Sequence, residues 1–205
     1  MSLSRPAPRK LLHMRKVDLR GYLREDGQLE VEAHMTDEKT FSFANIDRDG
    51  IRCGEALHDM WIRITLDMDL TITGCEASMD ATPYSVCPQI APNMSRLVGL
   101  KIGKGFLKEA NARVAGVEGC THLRELLQPL ATTAFQTMVS IRFRESGATS
   151  LRPSTAEPNP GGRLLNTCHA YAQGGPIMTR IAAAGQIGTD EIDQTELPQT
   201  DTARG

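Results

Sequence analysis

The sequence predicts an α+β domain: an antiparallel sheet of about five strands, covered on one face by three or so helices. Three observations carry this. Residues 13–77 are dominated by period-two alternation, as where Leu29, Val31 and Ala33 alternate with Glu30, Glu32 and His34. Turn signals separate the runs, Asp26-Gly27 being the strongest. After Pro88 the period changes to that of helices. It is clearest in Leu123, Leu126, Leu127, Leu130, Ala131, Ala134, Phe135 and Met138.

Residues 1–12 are rich in Pro and Arg and read as a flexible N-terminus. Arg5, Arg9 and Lys10, followed by Arg15 and Lys16, make it basic, but it lacks the apolar run of a signal peptide. Arg15 to Leu23 and Gln28 to Met35 form a hairpin across Arg24-Glu25-Asp26-Gly27, and Lys39 to Phe43 adds a short third strand. Asn45 to Gly54 is a polar loop. Met60 to Ile72 then alternates, with Ile62, Ile64, Leu66, Leu70 and Ile72 on one face and Arg63, Thr65, Asp67 and Thr71 on the other. Asp67-Met68-Asp69 turns this run into a second hairpin whose return strand ends at Cys75 and Ala77. Helices are expected over Ile90 to Leu100 and Gly103 to Val114, then a loop at Gly116 to Gly119 and the long amphipathic helix, which Pro129 should kink. The core domain is thus 13–143. A Pro-, Ser- and Gly-rich linker follows at 144–163, a C-terminal docking segment at 164–187 and a polar, disordered tail at 188–205.

At 205 residues the chain is long enough to bury a core. With 40% apolar and 23% charged residues and a net charge of −2, it falls among soluble globular proteins. The absence of a basic stripe and the 4% aromatic content argue against nucleic acid. No run approaches the ~18 apolar residues that would span a membrane. Five cysteines, an odd number without small-scaffold spacing, predict reduced thiols in the cytoplasm, free for metal or catalysis. A protein partner is compatible with all of this, and the oligomeric state is open.

The chemistry-bearing residues stand at the edges of elements. Cys87 lies in Pro83-Tyr84-Ser85-Val86-Cys87-Pro88, where a strand gives way to a helix. Cys120 and His122 lie in Gly119-Cys120-Thr121-His122, ahead of the long helix. Thr121 is a candidate cap for that helix, and a cysteine beside its start feels the positive end of the dipole, which favours thiolate. Residues two apart in a helix point nearly opposite ways. Cys120 and His122 therefore converge only if Cys120 lies in the loop before the cap, which Gly119 permits. The competing reading is a small buried cysteine beside a solvated histidine. His58 has the parity of Ile62 and Ile64, which turns it inward at the rim, with Asp59 placed to orient it or to ligate. Cys168 and His169 are adjacent, so at most one joins any site; Cys53 and Cys75 read as structural. Asp47-Arg48-Asp49-Gly50 is a turn rather than a calcium loop. Gly99, Gly103 and Gly105 lack the Gly-Lys-Ser/Thr of a phosphate loop.

The segments "REDGQLEVEAHMTDEKTFSF", "GEALHDMWIRITLDMDLTI", "SMDATPYSVCPQI", "LVGLKIGKGF" and "GVEGCTHLRELL" resemble a bacterial family known as domain of unknown function 2889. The likeness covers roughly residues 13–180, with Cys120-Thr121-His122-Leu123-Arg124-Glu125-Leu126-Leu127 its most specific run, and it implies no activity. The order of elements is also similar to the NifU/IscU-like iron–sulfur scaffold fold. There a strand pair like Met60 to Ala77 leads to a cysteine at a helix start, as at Cys87, and a His/Cys pair opens the last long helix, as Cys120 and His122 do here. The likeness implies a further ligand just before the first core strand; Cys53, Gly54 and His58 fall in that region, and His58 is the one expected to serve. The family's pair is His then Cys without a spacer, whereas here it is Cys-Thr-His. The glycine beside its middle cysteine is replaced by Val86 and Pro88. The N-terminal hairpin and the Cys168 segment have no counterpart in it.

The resulting expectation is a site built from Cys87, Cys120 and His122, completed by His58 or Asp59. Two thiolates with one or two imidazoles suit tetrahedral zinc or an iron–sulfur cluster, and hence a metal-binding scaffold or accessory protein. The alternative is a thiol enzyme acting on an acyl or thioester substrate, with Cys120 or Cys87 as nucleophile and His122 as base. A third reading is a non-catalytic interaction module.

Overall fold

Asp26 and Gly27 build the first hairpin. Gly27 takes φ +80°, a left-handed backbone open to glycine, and Asp26 Oδ1 accepts from the amide of Gln28 at 3.2 Å. The flanking strands are β1 (His13–Leu23) and β2 (Leu29–Lys39). In the second hairpin Asp67 Oδ1 accepts from the amides of Asp69 and Thr71 at 2.9 and 2.8 Å. It joins β3 (Ala56–Leu66) to β4 (Ile72–Ala81). The strands form one antiparallel meander in the order β1-β2-β3-β4. The computed structural model describes residues 3–145, 166 and 168–184.

The sheet has four strands among the described residues, not about five. The expected third strand divides. Lys39 completes β2, while Phe43 forms an isolated bridge with Ile51. The register shifts between Asp37 and Glu38, and the chain leaves the sheet into a loop pinned by Arg48, which donates to the carbonyls of Ala56 and Thr82 at 3.2 Å each.

One face of the sheet is buried. Leu29, Val31, Ala33, Ile64 and Leu66 have no exposed surface, and each Leu, Ile or Val so buried contributes about 1.5–3 kcal/mol. The helical layer begins with a 3₁₀ segment, Cys87–Leu97, where an α-helix was expected over Ile90 to Leu100. Pro88 and Pro92 lack amide donors, and in α geometry the Pro92 ring would strike the carbonyl of Pro88. Next come α1 (Phe106–Val114), α2 (Thr121–Glu125) and α3 (Leu127–Glu145). Pro129 breaks the expected long helix rather than bending it. The break at Leu126 places Pro129 in the first turn of α3, where amides have no intrahelical acceptor, and the ladder resumes with Leu130 N donating to Leu126 O at 3.0 Å.

The chain divides into two compact units, Met1–Ile141 and Arg142–Gly205. In the second, a 3₁₀ turn spans His169–Tyr171 and a helix, α4, spans Pro176–Ala184. The expected linker beyond residue 145 and the tail 188–205 lie outside the described residues. No described helix is long and apolar enough to cross a membrane.

Candidate metal centre

Strand register assembles the site. Arg15 on β1 stands opposite Asp37 on β2, and Asp37 stands opposite His58 on β3. These three residues make one row across the buried face at its rim. Asp37 has 1% and His58 7% of its surface exposed, so each needs a polar partner. Arg15 grips the carboxylate with two nitrogens, Nε to Oδ1 at 2.8 Å and Nη2 to Oδ2 at 2.7 Å. His58 Nδ1 lies 2.8 Å from Oδ2, and His13 Nε2 lies 3.2 Å from Oδ1. Three of these contacts are hydrogen bonds that hold both carboxylate oxygens.

The helical layer supplies the rest. Leu123, Leu126 and Leu127 anchor α2 and the start of α3 in the core, which brings His122 over the rim. Its ring centroid lies 3.9 Å from that of His58, with the planes inclined at 37°. Arg15 Nη1 also donates to Glu125 Oε2 at 2.6 Å and so ties β1 to α2. Cys120, not Thr121, is the N-cap residue, in extended backbone and without a side-chain cap bond; its carbonyl accepts from Arg124 N at 3.0 Å. Cys120 therefore lies ahead of the first helical residue, and its Sγ comes within 3.9 Å of His122 Nδ1. Gly119 makes this approach possible. A Cβ there would stand 1.8 Å from the carbonyl oxygen of Val114.

Burial alone would raise the carboxyl pKa of Asp37, but the hydrogen bonds from Arg15 and His58 outweigh it and hold the value at about 2. An ionised carboxylate only accepts, so His58 Nδ1 is the donor, and its Nε2 lone pair is free when the ring is neutral. Both imidazoles are pushed below their ordinary pKa. For His58 the causes are burial and then His122, working against Asp37. For His122 they are burial and then the Arg15 guanidinium. Neutral imidazole is the form that binds metals. Among the described residues, ligand atoms of Asp37, His58 and His122 all lie within 4.8 Å of one another.

Of the residues expected at a site, the structure brings the rings of His58 and His122 together and sets Cys120 beside His122. Asp59 follows the alternation of β3 to the opposite face, where its Oδ1 lies 2.7 Å from His34 Nε2 and His34 stacks on Trp61 at 3.7 Å. Cys87 opens the 3₁₀ segment; Cys87 and Cys120 both pack, half-buried, against the core and neither is in the three-residue group, but Cys120 has the contact with His122. Cys168 and His169 belong to the second unit. Sequence reasoning missed Asp37, Arg15 and His13. Asp37 left one signal, since it continues the inward parity of Leu29, Val31, Ala33 and Met35.

A family model described as protein of unknown function (DUF2889) matches residues 13–136, a span that includes His13, Arg15, Asp37, His58, Cys120 and His122. No curated protein and no solved structure matches, so no solved scaffold of the NifU/IscU-like kind stands behind the likeness in element order.

Proposed function

The chain belongs to the family described as protein of unknown function (DUF2889), and we propose that it is a metal-binding protein whose centre is held by His58, His122 and Cys120. Asp37 orients His58 from behind, as carboxylates commonly do for metal-bound histidines. This reading is supported by the convergence of Asp37 with two neutral imidazoles at a buried rim, with Cys120 Sγ 3.9 Å from one of them at His122 Nδ1.

Zinc fits best. Zn–S of about 2.3 Å and Zn–N of about 2.05 Å at a tetrahedral angle place sulfur and nitrogen about 3.6 Å apart. The 3.9 Å between Cys120 Sγ and His122 Nδ1 needs only a small side-chain adjustment to reach that. One thiolate and two imidazoles are few for an iron–sulfur cluster, which takes mostly cysteine ligands. Three protein ligands leave the fourth position to water or a client, as in zinc sites that do chemistry or exchange ligands. The same Cys120–His122 contact favours one second reading, a thiol enzyme with Cys120 as nucleophile and His122 as base.

Metal content by mass spectrometry, on full-length protein purified without oxygen, separates the two. The metal reading expects about one zinc per chain. It should be lost in His58→Ala, His122→Ala and Cys120→Ser and kept in Cys87→Ser. A folded, metal-free protein with one thiol, Cys120, unusually reactive to iodoacetamide would replace it with the thiol-enzyme reading.

A further inference from the structure

We infer that Arg15 is a positioning residue of this centre: its guanidinium claims both oxygens of Asp37, so that the carboxylate orients His58 instead of entering the coordination sphere. The inference rests on the metal reading above and concerns the choice between two arrangements that reading permits. Asp37 has a ligand atom within 4.8 Å of those of both histidines. A two-histidine, one-carboxylate set with further open positions is therefore within reach of small side-chain movements. What stands against it is the fork. Arg15 Nε and Nη2 lie 2.8 and 2.7 Å from the two oxygens, and a planar guanidinium matches a carboxylate in a way no other side chain does.

Oδ2 also takes the hydrogen bond of His58 Nδ1 at 2.8 Å, and His13 Nε2 lies 3.2 Å from Oδ1. To reach a metal, Asp37 would have to release Arg15 or His58. The third nitrogen of Arg15 holds Glu125 at 2.6 Å, on the helix that carries His122. One side chain thus fixes the carboxylate that orients one ligand and the helix that presents the other.

A purely structural ion pair predicts lower stability on removing Arg15 and nothing more. A positioning role predicts a changed metal environment. The test is the electronic spectrum of the cobalt(II)-loaded full chain in wild type, Arg15→Met, Arg15→Lys and Arg15→Met/Asp37→Asn, with fluorescence of the single tryptophan, Trp61, as the folding control. Wild type should show intense four-coordinate ligand-field bands and a sulfur-to-cobalt band from Cys120. Arg15→Met should keep the sulfur band while the ligand-field intensity falls to about half or less, as Asp37 enters and the coordination number rises. Lysine cannot make the fork and should resemble Met. The double variant, which removes the incoming carboxylate, should recover the wild-type spectrum.

Superimposable spectra for wild type and Arg15→Met would overturn the inference. If wild type takes up no cobalt, the metal reading falls, and the ¹⁵N shifts of His58 decide the role of Arg15 by themselves. An Nδ1–H tautomer that becomes mixed in Arg15→Met supports positioning, and an unchanged tautomer overturns it.

Discussion

Replacing Asp37 by Asn tests the electrostatic logic of the site without removing volume. The carboxylate has 1% of its surface exposed and takes hydrogen bonds from Arg15 at 2.8 and 2.7 Å and from His58 at 2.8 Å. Its pKa falls from 3.8 to about 2, with burial opposing the shift and Arg15 and His58 driving it. That difference corresponds to about 2 kcal/mol of stability at neutral pH. Removing one member of a buried pair costs ~3–5 kcal/mol. Arg15 keeps 35% of its side chain exposed, so water recovers part of its solvation, and the expected loss is about 2–4 kcal/mol. The assay is denaturant unfolding of the metal-free full chain at pH 7, repeated at lower pH. A carboxylate with a depressed folded pKa contributes fully above its unfolded value of 3.8 and loses that contribution as pH falls through about 2. The gap between wild type and Asp37→Asn should therefore close over the same range. A variant within ~0.5 kcal/mol of wild type at pH 7 would refute the reasoning.

Three further outcomes follow from the same geometry. Gly119→Ala forces a Cβ onto the Val114 carbonyl, which must displace the loop carrying Cys120; zinc affinity should drop about tenfold or more, and unchanged affinity would contradict the role given to this close approach. Asp59→Asn should alter Trp61 emission through His34 while leaving zinc affinity within about twofold, because Asp59 serves the opposite face; a loss of zinc would place Asp59 in the centre. His58 and His122 have folded pKa values below their ordinary 6.5, so their neutral forms stabilise the metal-free fold fully above pH 6.5 and lose that effect as pH falls below it. Unfolding midpoints should decline from pH 7 to pH 5, more steeply in wild type than in His58→Gln/His122→Gln, and parallel profiles would count against the buried neutral pair.

The hairpins were legible because Asp26-Gly27 and Asp67 carry their turn chemistry locally, and because β2 and β3 alternate cleanly. The strand total was not, because Lys39 to Phe43 has strand composition but departs from the sheet after the irregularity at Asp37/Glu38. Proline explains both helical revisions, through Pro92 in the 3₁₀ segment and Pro129 at the α2/α3 break. For the site, local signals pointed to His58, Cys120 and His122, whose side chains the fold sets side by side in the pairs His58–His122 and Cys120–His122. The parity of β2 turns Asp37 inward, but its partners depended on cross-strand register, which sets Arg15 against Asp37 and Asp37 against His58 and cannot be read from one strand alone. Cys87 opens a helical segment as its sequence suggested, yet that segment packs against the core, and nothing in its local sequence distinguishes this from a ligand position.

X-ray absorption at the zinc edge of the loaded full-length protein tests the central claim most directly. One sulfur at about 2.3 Å, with nitrogen or oxygen neighbours at about 2.0–2.1 Å, is the predicted shell, and Cys120→Ser should remove the sulfur. Two or more sulfurs, or a zinc shell indifferent to both Cys120 and His58, would contradict it.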